Sequence, residues 1–166
     1  MVDPRGAGVS EGWVLAAPAG TSRIDAGAHT NVRPDGSFVL DSPSDGPLDI
    51  TALSPGWAPT RLSGVMPTED EEIILRIGLG GRIAVTILDR KGLPKEGVSL
   101  EIHAEPPWLG SEIPGRFGPQ TISGPAGIAV AGNLAPGTYR VTVPGGASAV
   151  VIVTDGQTAE LQLRAE

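Results

Sequence analysis

The chain contains no cysteine. That removes disulfide staples, thiol nucleophiles and thiolate-bound metal together, and leaves the compartment open. Histidine is nearly absent too. His29 and His103 are the only two, each in a segment that reads as a strand with no second histidine nearby. A histidine metal centre needs clustered ligands, and a serine hydrolase needs a histidine beside an activated serine. No Gly-x-Ser-x-Gly elbow occurs. No apolar run approaches the roughly 18 residues of a membrane-spanning helix. No basic stripe is present to displace counterions from phosphate, so nucleic acid is excluded as a partner. The net charge of -7 is spread among interspersed acidic and basic residues, as on a wetted acidic surface. The opening residues, Met1 to Gly6, lack the apolar core of a signal peptide.

Glycine and proline are plentiful, with 24 and 16 residues, and hydrophobic residues make up 40% of the 166-residue chain. The first two punctuate the apolar runs at intervals, which predicts many tight turns between short strands. The hydrophobic fraction is enough for a packed core. Val98, Leu100, Ile102 and Ala104 alternate with polar residues. The same period of two recurs in Tyr139, Val141 and Val143, in Ala159, Leu161 and Leu163, and in Leu48, Ile50 and Ala52. Helical spacing never persists without an interrupting glycine or proline. Turn signals fall between the runs at Pro34-Asp35-Gly36, Ser44-Asp45-Gly46, Pro136-Gly137 and Asp155-Gly156. The expectation is an all-β sandwich or barrel.

The pattern occurs twice. Asp3-Pro4-Arg5-Gly6 and then Glu11-Gly12-Trp13-Val14-Leu15 match Asp89-Arg90-Lys91-Gly92 and then Glu96-Gly97-Val98-Ser99-Leu100. Asp35-Gly36-Ser37-Phe38 matches Ala126-Gly127-Ile128-Ala129, and Gly46-Pro47-Leu48 matches Gly137-Thr138-Tyr139. Ile73 to Ile77 match Ala159 to Leu163. The offset is about 86 residues at both ends and about five larger in the middle, as an enlarged loop in the second copy would produce. Two sandwich repeats follow, 1–78 and 79–166, with Gly78-Leu79-Gly80-Gly81 as the only candidate linker and a plausible place for limited hinge motion.

This order of elements resembles the carboxypeptidase regulatory-like domain, a prealbumin-like (Ig-like) antiparallel sandwich related to the Cna B-type repeats of bacterial surface proteins. The matching residues in the first copy are Thr30, Asp35, Gly36, Phe38, Leu40, Gly46 and Gly56-Trp57. In the second they are Asp89, Gly92, Gly97, Thr121, Gly127, Leu134, Pro136, Gly137 and Tyr139. The second copy departs from the pattern where Ala126 replaces the turn aspartate, Ile128 stands for the phenylalanine, and Gly145-Gly146 stands for the glycine-aromatic pair. The resemblance implies a fold and a habit. Such domains are non-catalytic appendages or spacers of secreted, periplasmic or cell-surface proteins, with adjacent domains of a longer parent chain as partners. It also implies tests that this chain fails. Intradiol dioxygenases of the fold need two tyrosines and two histidines on iron, and Tyr139 is the single tyrosine. The hydroxyisourate hydrolase branch ends in Tyr-Arg-Gly-Ser, whereas this chain ends Leu163-Arg164-Ala165-Glu166. The Lys-Asn isopeptide bond of Cna B-type repeats needs a first-strand lysine and a last-strand asparagine. The lysines here are Lys91 and Lys95, both in a turn, and residues 157–164 hold no asparagine. The expectation is a protein that is not an enzyme and has no cofactor or metal.

Arg82 to Leu88 form a first strand ahead of Asp89, but only Met1-Val2 precede Asp3. The first sandwich is therefore expected to lack most of its first strand, as an excerpt cut inside a domain would. The unpaired backbone left behind invites another chain or neighbour. The acidic run Glu69-Asp70-Glu71-Glu72 reads as a solvated strand edge, since calcium needs oxygens converging from a loop. Trp13, Trp57, Phe38 and Tyr139 are expected to face their cores. Trp108, Arg116 and Phe117 remain, in the enlarged loop 106–118. That loop is the candidate ligand-binding element, for a protein or a glycan that stacks on an exposed tryptophan. The alternative is that the loop folds back and caps its own, second sandwich.

Overall fold

A computed structural model describes the chain except for residues 24–26, 67, 69–71, 112–120 and 166. The described residues contain strands, turns and no helix. They divide into two compact units. Unit 1 is Met1–Gly78 with Pro107–Ile113, and unit 2 is Leu79–Pro106 with Pro114–Glu166.

Unit 2 is a sandwich of two sheets. One has the order β10-β9-β6-β7, from β6 (Ser99–Glu105), β7 (Thr121–Ile122), β9 (Gly137–Thr142) and β10 (Ser148–Val153). The other has the order β11-β5-β8, from β5 (Gly81–Leu88), β8 (Ile128–Leu134) and β11 (Thr158–Arg164). β5 is central, running parallel to β11 and antiparallel to β8. Its alternation is strict. Ile83, Val85 and Ile87 are buried, while Arg82 is exposed and Ala84 and Thr86 are half-buried. Opposite them lie Leu100, Ala104, Val141 and Tyr139, whose hydroxyl donates to the Ala135 carbonyl at 2.8 Å. The period of two thus places one apolar row of each sheet inside. Gly81 opens β5 and has no room for a side chain, because a Cβ there would lie 2.4 Å from the Thr154 carbonyl oxygen. The expected linker therefore runs directly into a packed strand.

Unit 1 has one full sheet, of order β2-β1-β3-β4, from β1 (Trp13–Pro18), β2 (Ala28–Asn31), β3 (Leu48–Leu53) and β4 (Thr60–Val65). Val14, Ala16, Leu48, Ile50 and Ala52 point to a core completed by Met1, Val9, Val32, Leu75 and Ile77. Among the described residues, the counterpart of the pairing between β5 and β11 is one bridge. Val2 pairs in parallel with Arg76, donating to the Leu75 carbonyl and accepting from the Ile77 N–H, both at 2.9 Å. By this bridge Met1 and Val2 stand where Ile87 and Leu88, the end of the central strand β5, stand in unit 2.

Several hydrogen bonds recur at equivalent places in the two units. Asp3 Oδ1 accepts from the Arg5 and Ala7 N–H groups at 2.8 and 2.9 Å. Asp89 Oδ1 accepts from Lys91 and Leu93 at the same two distances. Val9 N–H donates to Met1 O as Lys95 N–H donates to Ile87 O. Val32 N–H donates to Gly12 O as Ser123 N–H donates to Val98 O.

These pairs correct three sequence assignments. Gly12, and not Trp13, occupies the position of Val98, so Trp13 lies on the face opposite Val14 and Ala16. A one-residue slip in a strand exchanges its faces. The turns at Gly36 and Gly127 set Ala129 where Phe38 stands, as the repeat match had it and against the motif reading that put Ile128 there. Ala129 is buried and Ile128 is 48% exposed. In the last strand Arg76 corresponds to Arg164, since each pairs at the residue following Met1 or Ile87 in the central position. The sequence match was two residues out, which preserved the faces. Of the acidic run, Glu69, Asp70 and Glu71 lie outside the described residues. Glu72 is exposed, and Ile73 and Ile74 are not in a strand.

Candidate interaction site

Unit 1 holds a cleft of about 840 Å³. Its apolar floor includes Met1, Val2, Phe38, Leu40, Leu48 and Ile50. Residues 37–40 form one wall and residues 72–74 belong to the other, in segments that are not strands. Among the described residues, no backbone–backbone hydrogen bond involves Phe38, Val39, Leu40, Ile73 or Ile74. The corresponding segment of unit 2, β8, pairs with β5 from Ile128 to Leu134.

The cleft carries four carboxylates and one cation, the Met1 ammonium, whose pKa is lowered by burial while Asp35 and Glu72 oppose that shift. Asp35, Asp41, Asp45 and Glu72 line it, with no lysine or arginine among the lining residues. Asp35 sits in a tight turn in which Arg33 N–H donates to Ser37 O and Gly36 N–H to Arg33 O, each at 2.8 Å. The Ser37 N–H donates to Asp35 Oδ1 at 2.9 Å, and the bonds from Ser37 hold that carboxyl below the ordinary aspartate range. Gly36 takes φ +85° and its carbonyl accepts from the Met1 nitrogen. A Cβ at Gly36 would lie 2.5 Å from Met1 O and 2.9 Å from Val9 N, so this corner closes only on glycine.

The sequence-predicted loop takes a different place. Trp108 is only 9% exposed and belongs to unit 1. The Arg61 guanidinium stands 4.9 Å from its ring centroid. Next to it, Leu109 O accepts from the buried Thr51 hydroxyl at 2.9 Å. Thr51 and Arg61 are direct partners across β3 and β4, so Trp108 and Leu109 lie over the sheet face opposite the core cluster. Ser111 Oγ accepts from Trp108 N–H at 3.0 Å and closes the turn. Arg116 and Phe117 lie outside the described residues.

The histidines are separated. His29 is exposed on β2 and His103 is exposed on β6, opposite Arg140. Arg140 bonds Glu105 through Nε and Nη2 at 2.6 and 3.2 Å. Among the described residues, no group of three His, Cys, Asp or Glu side chains is arranged to hold a metal. No helix among them is long and apolar enough to cross a membrane. The sequence reading expected a missing strand but not the cleft or its acidic rim. The available signal was Phe38 and Leu40, large residues at positions held in unit 2 by Ala129 and Ala131.

No protein-family model matches the sequence, and no curated protein matches it. Solved structures do resemble it. The minor pilin GBS52 of Streptococcus agalactiae superposes with a TM-score of 0.50 at 10% identity, over 97% of this chain and 85% of that one. The major pilin subunit BcpA of Bacillus cereus gives 0.44 at 11% identity, over 92% of this chain and 59% of its own. The shaft pilin SpaA of Lactobacillus rhamnosus GG gives 0.37 at 9% identity. The first of these likenesses establishes a pilin-type β-sandwich fold.

Proposed function

We propose that this chain is a non-catalytic structural module of a bacterial surface protein, built from two tandem repeats of one sandwich, 1–78 and 79–166, that spaces or presents other parts of a longer chain. The observation that supports the reading is the all-β sandwich architecture of the described residues, whose likeness to a minor pilin extends over 97% of the chain. The duplication is supported by the recurrence of the Asp3 and Asp89 turns with the same donors at the same distances. A carboxypeptidase regulatory-like ancestry is the sequence-level form of the same proposal. The role needs persistence of shape and no reactive group, and densely hydrogen-bonded antiparallel sheets supply that persistence.

The test is cell fractionation with antibody labelling in the organism that encodes the chain. The protein is expected outside the cytoplasmic membrane, reachable by antibody or by added protease. Recovery solely from the cytosol would overturn the reading.

A further inference from the structure

We propose that β10 is a pairing edge through which two copies of this chain join, antiparallel and about a two-fold axis at Val151. The inference does not rest on the surface-module reading.

An edge strand carries unpaired backbone groups, and sheets guard their edges with charge, shortness or irregular backbone. Among the described residues, five of the six sheet edges are guarded in these ways. β2 has four residues and β7 has two. β4 carries Arg61 and Gly64, which takes φ +69°. β8 carries Asn133 at φ +55°, and its register with β5 shifts. β11 carries Glu160 and Arg164, both exposed. β10 has none of these features. It reads Ser-Ala-Val-Val-Ile-Val, six residues in unbroken register with β9. Val150 and Ile152 are 50% and 70% exposed.

The phase of the ladder turns the backbone of those two residues outward. In an antiparallel pair, residues that exchange backbone bonds alternate with residues that do not. Val143 N–H donates to Ala147 O at 3.0 Å, which fixes the phase of the hairpin. Ala149, Val151 and Val153 therefore bond to β9, and Ser148, Val150 and Ile152 direct their N–H and C=O groups away from it. The 3.1 Å contact between Thr142 Oγ1 and Ser148 Oγ agrees, because side chains approach most closely across the pairs without backbone bonds. Among the described residues, no backbone outside β9 bonds to Ser148, Val150 or Ile152.

The occupant follows from composition and charge. The strand that fits is uncharged and apolar along the same row, and this chain presents one, β10 itself. With Val151 opposite its own copy, Val150 exchanges both backbone bonds with Ile152 of the second copy, and Ile152 does so with the second Val150. Both outer side-chain pairs are then apolar. The chain carries a net charge of -7, so two copies repel over most of their surface, but this strand has no charge to oppose. Arg140, beside Val150 on β9, is already paired with Glu105 at 2.6 Å. The two Asp155 carboxylates fall at opposite ends of the contact, about 27 Å apart by strand rise, against a screening length of about 8 Å. Pairing one edge with itself consumes it in both copies, so the assembly closes as a dimer and does not grow into a fibre. The contact is one strand long, smaller than the roughly 1,200 Å² of stable complexes, so the dimer is weak and depends on concentration.

The test is sedimentation velocity of the full 166-residue chain up to about 1 mM, with Val150→Lys and Ile152→Glu, both at exposed positions. The parent chain should dimerise reversibly. Each variant alone should weaken the dimer about tenfold or more, since the change acts twice in a symmetric pair. An equimolar mixture of the two variants should dimerise severalfold more strongly than either alone, because the introduced lysine and glutamate then face each other. Circular dichroism checks that each variant is folded, and the gain on mixing requires folded chains. A parent chain that stays monomeric would overturn the proposal and leave β10 to a strand of another protein. Dimerisation that neither variant weakens, a mixture no stronger than its components, or growth beyond a dimer would each overturn it as well.

Discussion

Replacing Thr51 by valine should destabilise unit 1 by about 2 kcal/mol, within a range of about 1–3. The Thr51 hydroxyl donates to Leu109 O at 2.9 Å, and both residues are buried, at 1% and 3% exposure. Valine keeps the shape and removes the donor. The net value of the bond is about 1 kcal/mol, and a buried carbonyl left without a partner raises the cost toward the upper figure. Thr51→Ser is the control. It keeps the donor and loses one methyl group, worth about 0.8 kcal/mol. Urea unfolding followed by tryptophan fluorescence is the natural assay, since Trp13, Trp57 and Trp108 all belong to unit 1. Fluorescence then reports unit 1 separately, which matters in a chain with two units that need not unfold together. Valine should cost more than serine. If valine falls within about 0.5 kcal/mol of the parent, or serine costs more than valine, the seat described for Trp108 and Leu109 is wrong.

Three further outcomes are expected. Gly127→Ala should destabilise unit 2 at least twice as much as Gly92→Ala in urea melts followed by circular dichroism. Both glycines have positive φ, which costs alanine about 1–2 kcal/mol, but only at Gly127 would the Cβ meet backbone, 2.7 Å from Ile87 O and 3.0 Å from Lys95 N. Ser123→Ala should cost about 2 kcal/mol in the same assay, because the hydroxyl both donates to Lys95 O at 2.8 Å and accepts from Val98 N–H at 3.0 Å. Asp35 should titrate below the usual aspartate value of about 3.9, since bonds from Ser37 favour its ionised form. A depressed folded-state pKa gives stability that is present above the unfolded value and lost as pH falls through the folded one. The turn at residues 33–37 should therefore loosen only in strong acid, and Asp35→Asn should abolish that acid dependence in amide shifts.

Much of the fold was legible because period two is a strong signal when one face is wet. The runs at residues 98–104, 139–143 and 159–163 became β6, β9 and β11, with the predicted residues inside. Their pairing was less legible. Trp13 was placed against Val98 by similarity of the flanking Glu-Gly, but hydrogen bonding sets Gly12 there, and sequence spacing has no access to register. The last strand slipped by two residues unnoticed, since a shift of two leaves the faces unchanged. Trp108 escaped for a different reason. Its burial depends on which surface the inserted loop meets, and Thr51 and Arg61 lie far away in the chain. The cleft was half visible. Phe38 and Leu40 hinted at it, but which position of the sheet they border required the sheet order of unit 2.

Hydrogen exchange by mass spectrometry on the full chain tests most directly the claim that unit 1 is a sandwich with an open cleft between residues 37–40 and 72–74. Amides of Ile83 to Ile87, inside a three-stranded sheet, should be among the slowest to exchange, and those of Phe38 to Leu40 and of Ile73 and Ile74 should exchange orders of magnitude faster despite bordering a packed core. Protection of residues 38–40 equal to that of β8 would mean that the second sheet of unit 1 is closed, and would contradict the account.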